Sequence, residues 1–204
     1  MTDTRLLFVF RHGETDWNRA GRMQGSIDVP LNATGLAQAE ALAGRLRPLR
    51  LDAVLSSDLA RALTTARIVA EGLGLPLFPE PGLRETAVGE AEGLLWEEAK
   101  TRFGAGLTER WHSQDDVAFP GGETGFATRT RALGALHRFA EAQPFRRIGV
   151  STHGAMIRQL MKHAGQPTRG IGNAVLYVMH YEPAGNRLVV AADVEELPEP
   201  FETQ

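Results

Sequence analysis

The feature that most constrains this chain is an apolar run that ends in charge. Leu6-Leu7-Phe8-Val9-Phe10 passes directly into Arg11-His12-Gly13-Glu14-Thr15. Consecutive apolar residues with Val9 and two phenylalanines predict a strand buried on both faces, as parallel sheets covered by helices require. A guanidinium and an imidazole then stand beside a glycine at the strand's carboxyl end. Open α/β sheets bind ligands at that edge, so the chemistry is expected there.

Strand and helix patterns alternate along the rest of the chain. After a loop through Gly21, Gly25 and Pro30, Thr34 is read as the cap of a helix with Leu36, Ala39, Leu42, Ala43, Leu46 and Leu49 on its apolar side. Ala53 to Ser57 reads as a second strand. Asp58 follows as the cap of a helix carrying Ala62, Ala66, Val69 and Leu73, with Arg61 in its first turn and Gly72 and Gly74 stopping it. A short strand, Leu75 to Phe78, leads through Pro79, Pro81 and Gly82 to Leu83-Arg84-Glu85, which a parallel sheet would deliver to the same edge. The pattern weakens over residues 88–124, where one helix, Leu95 to Phe103, is expected inside a segment read as a lid. A long helix from about Phe126 to Ala142 precedes the buried strand Ile148 to Ser151, which ends in Thr152-His153-Gly154. Ala174 to Tyr181 and Arg187 to Ala191, joined by Pro183, Gly185 and Asn186, predict a terminal hairpin, and residues 195–204 a mobile tail.

Elimination narrows the chemistry. The chain has no cysteine, which excludes disulfides, thiolate metal sites and thiol catalysis. A net charge of −3 and a sequence pI near 6.1 give no general attraction to nucleic acid or anionic membrane. The first residues and the short apolar run do not form a signal or membrane segment, so the chain reads as one soluble, cytoplasmic domain over residues 1–204. No P-loop, dinucleotide fingerprint, His-Glu-x-x-His, Gly-x-Ser-x-Gly elbow or Asp-x-Asp is present. Asp115-Asp116 and His112, His137, His163 and His180 lack a second ligand at metal spacing, so no metal site is expected. Histidine remains as nucleophile. His12 and His153 both end apolar strands, and both precede glycine.

Five separated motifs then carry a resemblance. Arg11-His12-Gly13-Glu14-Thr15 with Trp17-Asn18, Gln24-Gly25, Asp28 and Pro30-Leu31 is followed by Ser56-Ser57-Asp58 with Arg61-Ala62 and Thr65-Ala66. Glu85 with Gly89 and Glu92-Gly93, Pro120-Gly121-Gly122-Glu123, and His153-Gly154 complete the set. In this order, from residue 6 to about residue 177, the sequence resembles the histidine phosphatase superfamily, also called phosphoglycerate mutase-like. The resemblance implies an α/β/α three-layer sandwich with a mostly parallel sheet, and a phosphohistidine mechanism.

Phosphoryl transfer needs an in-line nucleophile, donors for three equatorial oxygens and an acid for the leaving oxygen. By resemblance, His12 is the nucleophile, with a backbone carbonyl holding its other ring N–H. Arg11, Arg61 and His153 bind the equatorial oxygens. Glu85 protonates the leaving group and then activates water. Asn18, Gln24, Gly25 and Gly154 line the phosphoryl pocket, Gly13 keeps the approach open, and neither metal nor cofactor is needed. Arg61 in a first helical turn opposes the helix dipole, a conflict that bound phosphate would remove. Trp96, Phe103 and Trp111 are read as core or lid packing.

Cofactor-dependent mutases of this family carry a tyrosine three residues after the acid, an asparagine after the second His-Gly, and a longer insert with adjacent arginines. This chain has Val88, Ala155 and scattered Lys100, Arg102 and Arg110. Val88 and Ala91 stand where larger residues are common, which implies a wider pocket mouth. The reading is a metal-independent phosphomonoesterase acting on a small phosphorylated metabolite. Phosphoglycerate mutase is the alternative enzyme, and a non-catalytic phosphate-binding scaffold the alternative from another class. Relatives often pair as dimers, and the hairpin near residues 174–191 offers an edge for a homodimer.

Overall fold

The computed structural model describes residues 4–167 and 170–190. Its strands are β1 (Arg5–Arg11), β2 (Ala53–Ser56), β3 (Leu77–Pro79), β4 (Arg147–Thr152), β5 (Leu176–Glu182) and β6 (Arg187–Val190). The α-helices are α1 (Asp16–Arg19), α2 (Ala33–Leu46), α3 (Ala60–Leu73), α4 (Trp96–Phe103), α5 (Ala105–Ser113), α6 (Gly125–Ala142) and α7 (Gly154–His163). The strands form one sheet in the order β3-β2-β4-β1-β5-β6. β3, β2, β4 and β1 run parallel; β5 pairs antiparallel with β1, and β6 antiparallel with β5, forming the expected hairpin.

Both faces of the sheet are covered, which explains why its central strands are continuously apolar. Leu7, Val9, Ile148 and Val150 pack under α6 and α7 residues such as Leu136, Met156 and Leu160. On the other face, Phe8, Phe10 and Val54 pack against Leu42 and Leu46 of α2 and Val69 of α3. Two-residue alternation within a single run sends neighbours to opposite cores. A third small cluster joins Val88, Ala91 and Phe119 to Trp96, Phe103 and Trp111 of the segment between β3 and α6. Among the described residues no helix is long and apolar enough to cross a membrane.

Several local expectations are corrected. Asn32, not Thr34, caps α2, its side chain accepting from the Gly35 N–H at 2.8 Å. Leu36, expected on the apolar side of this helix, is 42% exposed. Leu59 rather than Asp58 precedes α3, and the helix receives its carboxylate from the loop between α1 and α2: the Ala60 N–H donates to Asp28 Oδ1 at 2.6 Å. Asp58 instead forms a two-pronged pair with Arg84, at 2.7 and 2.6 Å. The third strand spans Leu77–Pro79 instead of starting at Leu75, since Leu75 still bonds back to Ala70 at the end of α3. A second helix, α5, follows α4 where one helix alone was expected, Gly104 at φ 85° dividing them. Residue 191 of the hairpin and the tail at 195–204 lie outside the described residues.

Candidate active site

Sheet register brings the two His-Gly dipeptides together. Arg11 is aligned with Thr152 across the β1–β4 pair, so His12 and His153 leave adjacent parallel strands at the same edge. The His12 N–H still donates to the Thr152 carbonyl at 3.0 Å, and the two imidazole centroids lie 5.2 Å apart. One strand further, Ser56 aligns with Ser151, which places Ser57 Oγ 2.8 Å from His153 Nε2. β3 lies beside β2 in the same direction, so the turn after it brings Glu85 to this edge as well.

The His12 tautomer follows from its neighbour. Nδ1 lies 2.7 Å from the Gly13 carbonyl oxygen, which can only accept, so Nδ1 carries the proton and Nε2 keeps its lone pair. Burial, then the charges of Arg11 and Arg61, hold the His12 pKa well below the usual imidazole value, against the opposing effect of the Gly13 carbonyl. Burial, then Arg61, His12, Arg11 and Arg131, lower His153 in the same sense. Both rings are therefore neutral at neutral pH.

Arg61 is fully buried and engaged on one side only. Nη1 donates to the Ile27 carbonyl at 2.7 Å and Nη2 to the Gly25 carbonyl at 2.8 Å, while Nε has no partner among the described residues. His153 Nδ1 is equally orphaned. A buried polar atom without a partner costs about 1–3 kcal/mol, and such groups in folded proteins usually await a ligand, water or ion. Burial lowers the Arg61 pKa from its ordinary value, with Glu85, Asp28 and Glu92 acting to restore it. Thr65 Oγ1 ties this helix to the loop after His12, accepting from the Gly13 N–H at 3.1 Å and donating to the Arg61 carbonyl at 2.8 Å.

Glu85 is held by backbone donors. Oε1 accepts from Thr86 N at 2.9 Å and from Met156 N at 3.0 Å, whereas Oε2 accepts only from Ala155 N at 3.1 Å. The carboxylate thus sits on the first turn of α7, where anions are favoured. From behind, Arg131 donates to the Gly82 and Glu85 carbonyls at 2.9 and 2.8 Å and pairs with Glu123, whose Oε1 accepts from Ala87 N at 3.0 Å. The Pro-Gly-Gly-Glu motif therefore braces the Glu85 loop against α6.

A pocket of about 440 Å³ opens over these groups. Arg11, His12, Asn18, Gln24, Gly25, Arg61, Glu85 and Gly154 all line it. His153, expected beside them, is fully buried next to His12 and does not line the pocket wall. Gly25 adopts φ +51°, and a β-carbon there would come within 2.4 Å of Glu92 Oε1. Gly13 proves to have a different role from the one expected: a β-carbon on it would meet the Gly35 carbonyl oxygen at 2.3 Å, so it is small to let the loop abut α2 and not to open the pocket. Val88 lines the pocket, but Ala91 is fully buried in the third cluster and cannot widen the mouth. Trp96 and Trp111 reach the wall, while Phe103 stays in packing against Phe119 at 5.4 Å.

Sequence reasoning missed Asn173 and Arg158. Asn173 Nδ2 donates to the His12 carbonyl at 3.0 Å and to Asn18 Oδ1 at 3.2 Å, fixing both residues from a loop with no motif of its own. Arg158 lines the pocket one helical turn beyond Gly154. The (i, i+4) spacing was a usable signal, because it puts both on one face of a helix whose start was already assigned to the site. Lys100 and Arg102 point elsewhere, paired on the exterior with Glu97 and Glu90.

Comparison with known proteins agrees with this geometry. The profile of the histidine phosphatase superfamily (branch 1) matches residues 7–194. A metal-independent phosphoserine phosphatase of Arabidopsis thaliana is 38% identical over 182 residues, covering 87% of this chain and 76% of the relative. A phosphoglycerate mutase-like protein 4 of the same plant is 37% identical, covering 83% and 75% respectively. Among solved structures, a mycobacterial glucosyl-3-phosphoglycerate phosphatase in complex with VO3 superposes with a TM-score of 0.85 at 28% identity, covering 94% of this chain and 99% of that one.

Proposed function

The chain belongs to the histidine phosphatase superfamily, and from that footing we propose that it hydrolyses the phosphomonoester of a small metabolite through a phosphohistidine at His12. The observation that carries the reading is a pair of buried nitrogens without a partner among the described residues, Arg61 Nε and His153 Nδ1, the latter a donor when Nε2 accepts the Ser57 hydroxyl proton, beside a neutral imidazole whose proton is committed to a carbonyl. Together with Arg11, this is the donor set that a phosphoryl group in transfer requires.

His12 Nε2 attacks phosphorus in line, and the P–O bond to the leaving group breaks. The departing oxygen takes a proton from Glu85, whose Oε2 is the oxygen with a single backbone bond and so has room to carry one. Water then attacks the phosphohistidine, gives its proton back to Glu85, and releases inorganic phosphate with the original imidazole. Arg11 and Arg61 balance the charge on the phosphoryl oxygens, so the reading uses no metal. Hydrolysis is favoured over mutase chemistry because Val88 and Ala155 stand at the pocket and the arginine and lysine of α4 are paired outside it.

The test is release of phosphate from 4-nitrophenyl phosphate in EDTA between pH 5 and 7.5, with acid-labile phosphate trapped on the wild-type protein by rapid base quenching. Turnover that disappears in His12→Ala is expected. Turnover that survives this substitution, or none with either enzyme, overturns the proposal. Faster isomerisation of 3-phosphoglycerate than phosphate release, in the presence of 2,3-bisphosphoglycerate, would assign the mutase instead.

A further inference from the structure

Asn18 and Gln24 line the pocket, yet a carboxamide can present either an acceptor or a pair of donors, and only donors suit an anion. Which end faces the pocket is decided from outside it. The His12 carbonyl can only accept, so the Asn173 atom 3.0 Å from it is Nδ2. The second N–H of that group reaches the Asn18 carboxamide at 3.2 Å and can meet only Oδ1 there. The backbone N–H of Thr15 donates to the same oxygen at 3.2 Å. Two N–H donors fill the two lone pairs of Oδ1, which leaves Asn18 Nδ2 for the pocket.

Thr15 extends the count to Gln24. Its buried hydroxyl accepts from the Asn18 N–H at 3.1 Å and has one proton to give, with Asn18 Oδ1 and Gln24 Oε1 each 3.1 Å away. The first oxygen is already filled, so the proton goes to Gln24 Oε1, and Gln24 is left with Nε2 for the pocket. Removing Asn173 would reopen both choices.

The backbone beside Asn173 is strained in a way that fits such a task. Ala174 is buried and adopts φ 55°, a left-handed conformation unfavourable for alanine that persists only where surrounding contacts over-determine it. Those contacts come from the same site. The Ile171 carbonyl accepts from Arg11 Nη1 at 2.5 Å and the Val175 carbonyl from the Arg11 N–H at 3.3 Å, so one turn holds Arg11, His12 and Asn18 together. We propose that Asn173 is a positioning residue that sets the carboxamide of Asn18, and through Thr15 that of Gln24, so that both present N–H donors to the phosphoryl group. This inference rests on the phosphatase reading and adds to it a residue that touches neither substrate nor reacting atoms.

The test measures the dissociation constant of orthovanadate by isothermal titration calorimetry at neutral pH. Asn173→Asp keeps the shape but offers only acceptors, and Asn173→Ala removes the group; each should weaken binding by about 10-fold or more. In an Asn18→Ala background, Asn173→Ala should cost less than about 2-fold further, because both carboxamides are reached only through Asn18 Oδ1. A purely structural Asn173 would weaken binding equally in both backgrounds, and that result overturns the proposal. So does wild-type affinity in Asn173→Asp. The titration reads the folded fraction, so partial instability of a variant does not mask the coupling. Vanadate binding without turnover of any ester would defeat the phosphatase reading alone, whereas no binding by the wild type would overturn both.

Discussion

The imidazoles of His12 and His153 lie 5.2 Å apart, both buried and both with pKa values pushed well below the ordinary imidazole range. Unfolding would let each bind a proton at its usual pKa of about 6.5. The unfolded state therefore takes up more protons than the folded one as pH falls below that value, and stability is lost in the acid direction, from about pH 6.5 towards the folded pKa values. The expected slope is on the order of 1 kcal/mol per pH unit for each ring. Urea midpoints between pH 5 and 7.5 should show it, and His153→Gln should flatten it; a flat wild-type profile would refute the burial argument. On the proposed mechanism the sign is the same for catalysis, since the attacking imidazole is neutral, and kcat/KM should hold steady well below pH 6.5 before its acid limb.

On the proposed mechanism, replacing Glu85 by Gln removes the proton given to the leaving oxygen. For an alkyl phosphate, kcat/KM should fall about 10²–10⁴-fold. A nitrophenolate leaves without help, so kcat/KM for 4-nitrophenyl phosphate should fall much less, and turnover should show a burst as the phosphoenzyme waits for unactivated water. Equal losses with both esters would mean that Glu85 only caps α7.

Thr65 bridges the Gly13 N–H and the Arg61 carbonyl from a fully buried position. Thr65→Val keeps the shape but orphans the Gly13 donor, at a cost of about 1–3 kcal/mol in chemical denaturation. Thr65→Ser retains the hydroxyl and should lose less. If the two variants are equally stable, the bridge contributes nothing.

Gly13→Ala should be severe for a reason of packing and not of catalysis. Its methyl would meet the Gly35 carbonyl oxygen at 2.3 Å, so the loop and the start of α2 must separate. A stability loss of about 1–3 kcal/mol is expected, with His12 displaced as a consequence. Wild-type stability in this variant would show that the contact yields freely.

The buried strands at Leu6–Phe10 and Ile148–Ser151 were legible because their continuous apolar runs have few alternative folds, and β1 and β4 contain them. Helix starts were less so. Thr34 and Asp58 look as good as caps as Asn32, and only the bond from Gly35 to Asn32, and the rival claim of Arg84 on Asp58, decide between them. The candidate nucleophile, arginines and acid were legible as residues, since each sits in a dense local motif. Asn173 was not, because its contact with His12 spans 161 positions of sequence and leaves no periodic trace.

Residue order alone thus determined the main strands and helices and the motif side chains that follow the strands, because strand and helix patterning are local properties of the chain. Tertiary structure decided the rest: that parallel register sets His12 beside His153, that Glu85 lands on the α7 backbone, that Gly13 serves a helix contact, and that Arg158 lines the pocket. Those facts depend on distances between remote segments, and such distances exist only once the two cores have packed against the sheet.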